Sequence, residues 1–276
     1  MFLKEFDLTG KAAVVVGGGR GIGKGIALAF AEAGADVLVI ARSKLEIEQT
    51  ASEIRGFGRN GMAVSADATK AIDVAKVVTT AISEWGKIDI LVNSAGVGLG
   101  GGVRKPIIPL PGHQPAGPEK AEEFSSPTSE EEWHLLIDTN ITSIFLATRA
   151  VGRHMIEQGR GKIINIGSIT GAKGFAYQVV YCTTKAAVSM YTRALALEWA
   201  KYHIHVNAIA PGYTDTETLR GMFREGDGFL DKLIQSIPLK RLCQPREVGL
   251  LAVYLASEAS DYLTGQTIYI DGGILA

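Results

Sequence analysis

Seven short runs of apolar, mostly β-branched residues alternate with longer segments of helical spacing, and this alternation constrains the chain more than any other feature. The runs are Ala12–Val16, Val37–Ala41, Ala63–Ser65, Ile88–Val92, Lys162–Ile166, Ile204–Ile209 and Thr267–Ile270. They are apolar on both faces, as buried parallel strands are. Between them, Ile22–Ala33, Lys44–Phe57, Lys70–Trp85, Ser129–Ile156, Val180–Tyr202 and Pro245–Ser257 are rich in good helix formers at helical spacing. Such alternation implies a parallel sheet covered by helices on both faces. Right-handed crossovers make a doubly wound α/β sheet the natural solution. No repeat and no linker interrupts the pattern, so residues 1–276 read as one domain.

Composition narrows the function. Hydrophobic residues are 46% and charged residues 21%, which excludes a disordered or fibrous chain. The net charge of -1, from 28 basic and 29 acidic residues, disfavours a nucleic-acid-coating role. Two cysteines, Cys182 and Cys243, make neither a disulfide framework nor a zinc cluster. The five histidines, His113, His134, His154, His203 and His205, show no metal-ligand spacing, so no metal is expected. The start, Met1–Asp7, is charged before any long apolar stretch, unlike a signal peptide. No apolar run approaches the ~18 residues that span a membrane. A cytoplasmic protein without membrane contact is the expectation.

Glycine stands out, at 33 of 276 residues. Part of the excess is Gly17-Gly18-Gly19-Arg20-Gly21-Ile22-Gly23, directly after the first strand and opening the first helix. Glycines there permit a tight turn and close approach of a pyrophosphate, held at the positive end of the helix. The second strand ends Ala41-Arg42, where a ribose-binding acid would otherwise stand. Arg20 and Arg42 converging on that spot suit a 2′-phosphate, which favours NADP(H) and leaves NAD(H) as the other candidate.

A second cluster carries chemistry. Tyr181 and Lys185 are four apart at the start of a helix and share a face. The strand Lys162–Ile166 ends at Gly167-Ser168, thirteen residues before Tyr181. Phosphate loop, serine and Tyr-x-x-x-Lys pair together resemble a short-chain dehydrogenase/reductase, of the compact branch that includes 3-oxoacyl-carrier-protein reductases. The resemblance covers about Leu8 to Gly273. It adds Asp67, Asn93-Ser94-Ala95-Gly96, Asn140, Pro211-Gly212 and Asp271-Gly272-Gly273 to the motifs already named. It implies a Rossmann-type sheet and an oxidoreductase that interconverts a ketone and a secondary alcohol.

The resemblance also implies roles. Tyr181 would be the general acid in reduction and the base in oxidation, its phenolate favoured by positive charge from Lys185 and the oxidised nicotinamide. Lys185 would also hold the nicotinamide ribose. Ser168 would hydrogen-bond the reacting oxygen. Asn140 would support a water leading to Lys185. Gly17, Gly19, Arg20, Gly21, Ile22 and Gly23 would hold the phosphates, with Arg42 at the adenosine end. Asp67 would accept from the adenine amine, and Asn93, Ala95 and Gly96 would close around the adenosine ribose. Pro211, Gly212, Thr214 and Thr216 would contact carboxamide and pyrophosphate. Ile169, Thr170, Phe175, Tyr177 and Tyr213, with Ser168, would border the substrate and are mostly apolar, which tilts against sugars.

Departures from the family pattern are few. Val16 replaces the usual threonine, removing a brace of the loop, and Ser94 replaces an asparagine. Carrier-protein reductases use basic residues near the flanking helix ends; here Gly159 and Tyr202 stand there, with Arg160 and Lys201 adjacent, which weakens a carrier-protein substrate. Residues 98–129 hold six of the nine prolines. This insertion follows the fourth strand and would rim the mouth of the site. Ser129 with Glu132, or Thr128 with Glu131, is spaced as a capping box for the next helix. Tyr213–Leu230 reads either as a lid over an apolar pocket or as a helical pair packed on its own subunit or a neighbour. The substrate candidates are 3-oxoacyl thioesters, cyclic or aromatic ketones, and sugar-derived polyols. An NAD(H)-dependent sugar or polyol dehydrogenase is the alternative enzyme, and a non-catalytic dinucleotide sensor the alternative class. The resemblance implies a homotetramer or homodimer.

Overall fold

A computed structural model describes residues 3–97, 105–108, 127–223 and 228–276. Seven strands form one sheet: β1 (Ala12–Val16), β2 (Asp36–Ala41), β3 (Gly61–Ser65), β4 (Ile90–Asn93), β5 (Gly161–Ile166), β6 (Ile204–Pro211) and β7 (Thr267–Ile270). All pairs are parallel, in the order β3-β2-β1-β4-β5-β6-β7. The helices are α1 (Gly21–Glu32), α2 (Lys44–Gly56), α3 (Ala71–Trp85), α4 (Glu130–Ile137), α5 (Ser143–Gln158), α6 (Val179–Trp199), α7 (Glu217–Arg220), α8 (Phe229–Ser236) and α9 (Pro245–Ala256). The single-domain doubly wound α/β sheet expected from the sequence is the fold observed.

The period-two geometry of a strand divides the core between two faces. Ala13 and Val15 of β1 pack with Phe30 of α1, Ile47 of α2 and Val248 of α9. Val14 and Val16 pack on the other face with Val77 of α3, Val151 of α5 and Leu195 of α6. Each fully buried aliphatic side chain of this kind contributes about 1.5–3 kcal/mol. Helices α1 and α9 cross at Gly25 and Gly249, where a Cβ on Gly249 would lie 2.6 Å from the Gly25 carbonyl oxygen. Burial on both faces holds for the central strands only. Met62–Val64 of β3 and the residues of β7 are partly exposed, because an edge strand has a neighbour on one side.

Three local expectations are refined. Residues 129–156 do not form one helix: α4 and α5 are separated by a π turn over Asp138–Thr142. The Val180–Tyr202 segment tightens to a 3-10 turn over Ala200–Tyr202. In Tyr213–Leu230, residues 224–227 lie outside the described residues. Tyr213, Met222, Phe223 and Leu230 pack around Leu219, Ile237 and Leu242 of their own subunit, although Tyr213 and Met222 also line the cleft described below.

Most of the 98–129 insertion, and His113 within it, lies outside the described residues. Its flanks meet: Thr128 N–H donates to Pro106 O at 2.9 Å, and Lys105 pairs with Glu132 at 2.7 Å. Ser129 and Glu132 form the expected capping box on α4. No helix among the described residues is long and apolar enough to cross a membrane.

Candidate active site

The strand order reverses between β1 and β4, and a crevice opens at their carboxyl ends. A cleft of about 1010 Å³ runs from there past the ends of β5 and β6. Its first wall is the glycine loop. Gly17 follows β1 with φ +78°, a conformation that disfavours any residue with a Cβ. That Cβ would also lie 2.7 Å from the Ala95 nitrogen, and one on Gly23 would meet the Gly17 oxygen at 2.1 Å. The loop is therefore folded tightly against both β4's continuation and α1, leaving backbone to face the cleft. The bracing that Val16 cannot give comes from elsewhere. Thr50 of α2, fully buried, donates its hydroxyl to Gly19 O at 3.2 Å.

At the adenosine end, Arg20 and Arg42 both line the cleft. Arg20 lies 3.6 Å from Glu46, an acid in the first turn of α2 that also lines the cleft. Asp67 lines the same end, its Oδ1 accepting from the Thr69 N–H and hydroxyl at 3.0 and 2.7 Å. Those bonds hold its carboxyl below the usual range, chiefly through the Thr69 hydroxyl, with Lys70 and Arg42 adding to the effect. A cradle of close-packed glycine backbone at a helix N-terminus, with cations at one end, fits a dinucleotide phosphate group. Gly17, Gly19, Gly21, Ile22, Gly23, Ala95, Gly96, Pro211, Gly212, Thr214 and Thr216 all line it. The Thr216 hydroxyl is engaged in capping α7, accepting from Leu219 N–H at 3.1 Å.

The other end gathers Ser168, Tyr181 and Lys185. Ser168 follows β5, and its Oγ accepts from Thr170 N–H at 3.2 Å. Its hydroxyl and that of Tyr181 are hydrogen-bonded to each other. One turn further along α6, Lys185 is 5% exposed, with Nζ 5.7 Å from the Tyr181 ring centroid. Lys185 Nζ donates to Ile166 O at 2.9 Å, so the end of β5 fixes the ammonium. Burial pushes the Tyr181 phenol up to about 12, against the pull of the Ser168 hydrogen bond. Burial pushes Lys185 down to about 8. Desolvation is the dominant influence on the phenol before the oxidised nicotinamide adds its positive charge. A phenol that holds its proton is set up as an acid, next to a lysine that changes charge near neutrality.

Three expected site residues do not line the cleft: Asn93, Asn140 and Tyr177. Asn93 is buried, its amide donating to Asn165 at 2.8 Å and to Thr148 at 3.4 Å, so its side chain ties β4 to β5 and does not close on a ribose. Asn140, fully buried in the π turn, accepts from Val97 N–H at 2.9 Å and donates to Thr184 at 3.1 Å. Its amide holds the backbone after Gly96, on the side of that glycine that faces Lys185: a Cβ on Gly96 would lie 3.3 Å from Asn140 Oδ1 and 3.7 Å from Lys185 Nζ. Tyr177 precedes α6 with φ +62°. Ile169, Thr170, Phe175 and Tyr213 are in the wall as expected.

Sequence reasoning missed Leu135, Glu46 and Gln178 in that wall, while Met222 belongs to the segment read as a possible lid. Leu135 carries only the ordinary signal of an apolar residue. Gln178 carried a usable one, standing three residues before Tyr181 on the turn that opens α6. Among the described residues no group of three or more His, Cys, Asp or Glu could hold a metal. Cys182 is half-buried, and burial pushes the Cys243 thiol up to about 11.

A family model described as enoyl-(acyl carrier protein) reductase, belonging to the short-chain dehydrogenases/reductases, matches residues 16–275. The chain is 38% identical over 277 residues to 2-dehydro-3-deoxy-D-gluconate 5-dehydrogenase of Dickeya dadantii (strain 3937), covering 100% of both. It is 35% identical to 3-oxoacyl-[acyl-carrier-protein] reductase FabG of Chlamydia muridarum (strain MoPn / Nigg), covering 97% of this chain and 98% of that one. The crystal structure of a gluconate 5-dehydrogenase from Burkholderia cenocepacia J2315, in complex with NADP and tartrate, superposes with a TM-score of 0.82. That match is at 34% identity and covers 98% of this chain and 97% of that one.

Proposed function

The chain belongs to the short-chain dehydrogenase/reductase family, and from that membership we propose that it interconverts a ketone and a secondary alcohol, with NADP(H) in preference to NAD(H). The observation that carries this reading is one cleft with a glycine-backbone cradle at one end and Ser168, Tyr181 and Lys185 at the other. Bound in the cradle, the nicotinamide coenzyme supplies or takes up the hydride. In reduction, Tyr181 gives its phenolic proton to the carbonyl oxygen. Ser168 donates a hydrogen bond to the same oxygen as charge develops there. Lys185, held by Ile166 O, stores a proton at Nζ and returns it toward the phenol. The presence of both Tyr181 and Lys185 in the cleft supports catalysis over nucleotide sensing alone.

Support for NADP(H) comes from Arg20 and Arg42 in the cleft wall and from Ala41 where an acid would bind ribose hydroxyls. Glu46 beside Arg20 tempers the preference. In NADPH- and NADH-dependent ketone reduction, Arg42→Ala should lower kcat/KM for NADPH by about 10- to 100-fold, as loss of a charge-assisted phosphate contact does. The loss for NADH should be under about threefold. Equal losses with both coenzymes would remove the case for a 2′-phosphate site.

The wall near Tyr181 includes Leu135, Ile169, Phe175, Tyr213 and Met222, which supports a substrate with an apolar part, such as a cyclic ketone or 3-oxoacyl group. A second reading, a sugar-acid or polyol dehydrogenase, is favoured by the full-length similarity to 2-dehydro-3-deoxy-D-gluconate 5-dehydrogenase. We also infer a homo-oligomer. Phe145 of α5 and Met190 and Leu197 of α6 are exposed, Leu197 by 86%, as is Tyr269 on the edge strand β7. Sedimentation should therefore find a dimer or tetramer at micromolar concentration; a monomer there would contradict this.

A further inference from the structure

The sheet face that packs on α3, α5 and α6 carries Val14, Val16, Leu91 and Ile163. Two of its strands turn polar near their carboxyl ends. Asn93 stands two residues after Leu91 on β4, and Asn165 two after Ile163 on β5, where the strand period asks for another aliphatic side chain. The two are register partners. Asn93 is 2% exposed and Asn165 not at all. The Asn93 amide donates to Asn165 Oδ1 at 2.8 Å, and Asn165 Nδ2 donates to Thr192 Oγ1 of α6 at 2.9 Å. Thr192, also fully buried, gives its own hydroxyl hydrogen to Val188 O at 2.8 Å. That donation leaves Thr192 Oγ1 only as an acceptor toward Asn165. Apolar packing alone holds a helix on a sheet without fixing its axial position, whereas a satisfied bond between buried polar groups specifies it.

The place of this bond bears on the reacting groups. Asn165 is the residue before Ile166, whose carbonyl oxygen takes the Lys185 ammonium, and it stands three before Ser168. Thr192 is seven residues after Lys185, two turns along α6, and so on the same face of the helix. The strand that ends at Ser168 and the helix that carries Tyr181 and Lys185 are thus tied by two side chains that do not line the cleft. We propose that Asn165 is a positioning residue: through Thr192 it sets where α6 docks along β5, and so holds Lys185 on Ile166 O and the Tyr181 hydroxyl against Ser168. Its effect on rate rests on the carbonyl–alcohol reading above; its effect on Lys185 needs no turnover. Without the bond α6 is free to shift, the ammonium loses its fixed acceptor, and the charged form of Lys185 is harder to keep.

Three variants test this. Thr192→Val removes the acceptor at nearly equal volume, and Thr192→Ser keeps it. Thr192→Val combined with Asn165→Leu leaves no unpaired group at either position, while Asn93 keeps its bond to Thr148. Thermal melting follows the stability of each. The first readout is the Cε NMR resonance of Lys185 against pH, identified by its absence in Lys185→Met. Wild type and Thr192→Ser should titrate at about 8, and Thr192→Val and the double variant about half a pH unit lower or more. The second readout is NADPH-dependent reduction of cyclohexanone and of hydroxyacetone, one for each substrate reading above. Thr192→Val and the double variant should lose kcat about tenfold or more, as misplaced reacting groups do, while Thr192→Ser keeps most of the rate. Coenzyme Kd, by fluorescence titration, should change by under about threefold in all three. The double variant separates positioning from stability, because replacing both partners with apolar groups restores folding without restoring the bond. A Lys185 titration and kcat equal to wild type in Thr192→Val, or restored with the melting temperature in the double variant, would overturn the proposal. A wild type that titrates as expected yet reduces neither ketone would count against the carbonyl–alcohol reading, and the Lys185 shift would still decide the positioning of α6.

Discussion

Tyr181→Phe should lower kcat for ketone reduction about a thousandfold, the scale of losing a positioned general acid. The fold should not notice. The Tyr181 ring packs with Leu136, Val180 and Val97, and phenylalanine retains that ring. The hydroxyl it lacks is bonded to Ser168, which stays at the end of β5. Coenzyme affinity, measured by fluorescence titration, should change by no more than about threefold. The combination separates chemistry from binding: an interaction used only in the transition state lowers kcat and kcat/KM together. A variant that keeps more than about a tenth of the wild-type rate would show that another group protonates the carbonyl oxygen.

Lys185→Met should abolish activity to a similar degree and, without coenzyme, raise stability below about pH 8. The reason is the burial of an ammonium whose bond in the structure is to Ile166 O, with no carboxylate beside it. Its proton affinity falls from the ordinary 10.5 to about 8 on folding. Below pH 8 the lysine is charged in both folded and unfolded chains, and the folded chain carries the desolvation cost. Between 8 and 10.5 the unfolded chain binds the proton that the folded one has released, so wild-type stability rises with pH. That shift corresponds to roughly 3 kcal/mol. Leaving Ile166 O unpaired in the variant takes back about 1–3 kcal/mol. A net gain of about 1 kcal/mol in Tm-derived stability is therefore expected at pH 7, vanishing near pH 9 and reversed above about pH 10.5. A variant less stable than wild type at pH 7, with the difference independent of pH, would contradict a desolvated ammonium at this site.

The same two residues show how far sequence alone reaches. The β-branched runs located all seven strands because buried parallel strands carry their signal in consecutive residues. The π turn at Asp138–Thr142 was invisible because apolar spacing continues through it from Leu136 to Ile144. Motif residues were recognised by type, but type does not say which way a side chain turns. Asn93 and Asn140 face inward to Asn165 and Val97, where they hold the strands and turn that form the cleft floor. Arg20, Arg42, Ser168 and Tyr181 were legible because each stands where a strand ends or a helix begins at the carboxyl edge of the sheet, and Lys185 because it lies one turn after Tyr181. The balance between desolvation and charge at Tyr181 was not legible, since it depends on the walls around the hydroxyl.

The decisive event is passage of a hydride from a nicotinamide in this cleft to a carbonyl carbon. Hydroxyacetone reduced with NADPH stereospecifically deuterated at the nicotinamide C4, one epimer at a time, tests this by mass spectrometry of the diol. One epimer should deliver deuterium to the new carbinol carbon of propane-1,2-diol in ordinary water, and the other none. Unlabelled diol from both epimers, or label taken from deuterated solvent at that carbon, would contradict direct transfer and with it the role given to Ser168, Tyr181 and Lys185.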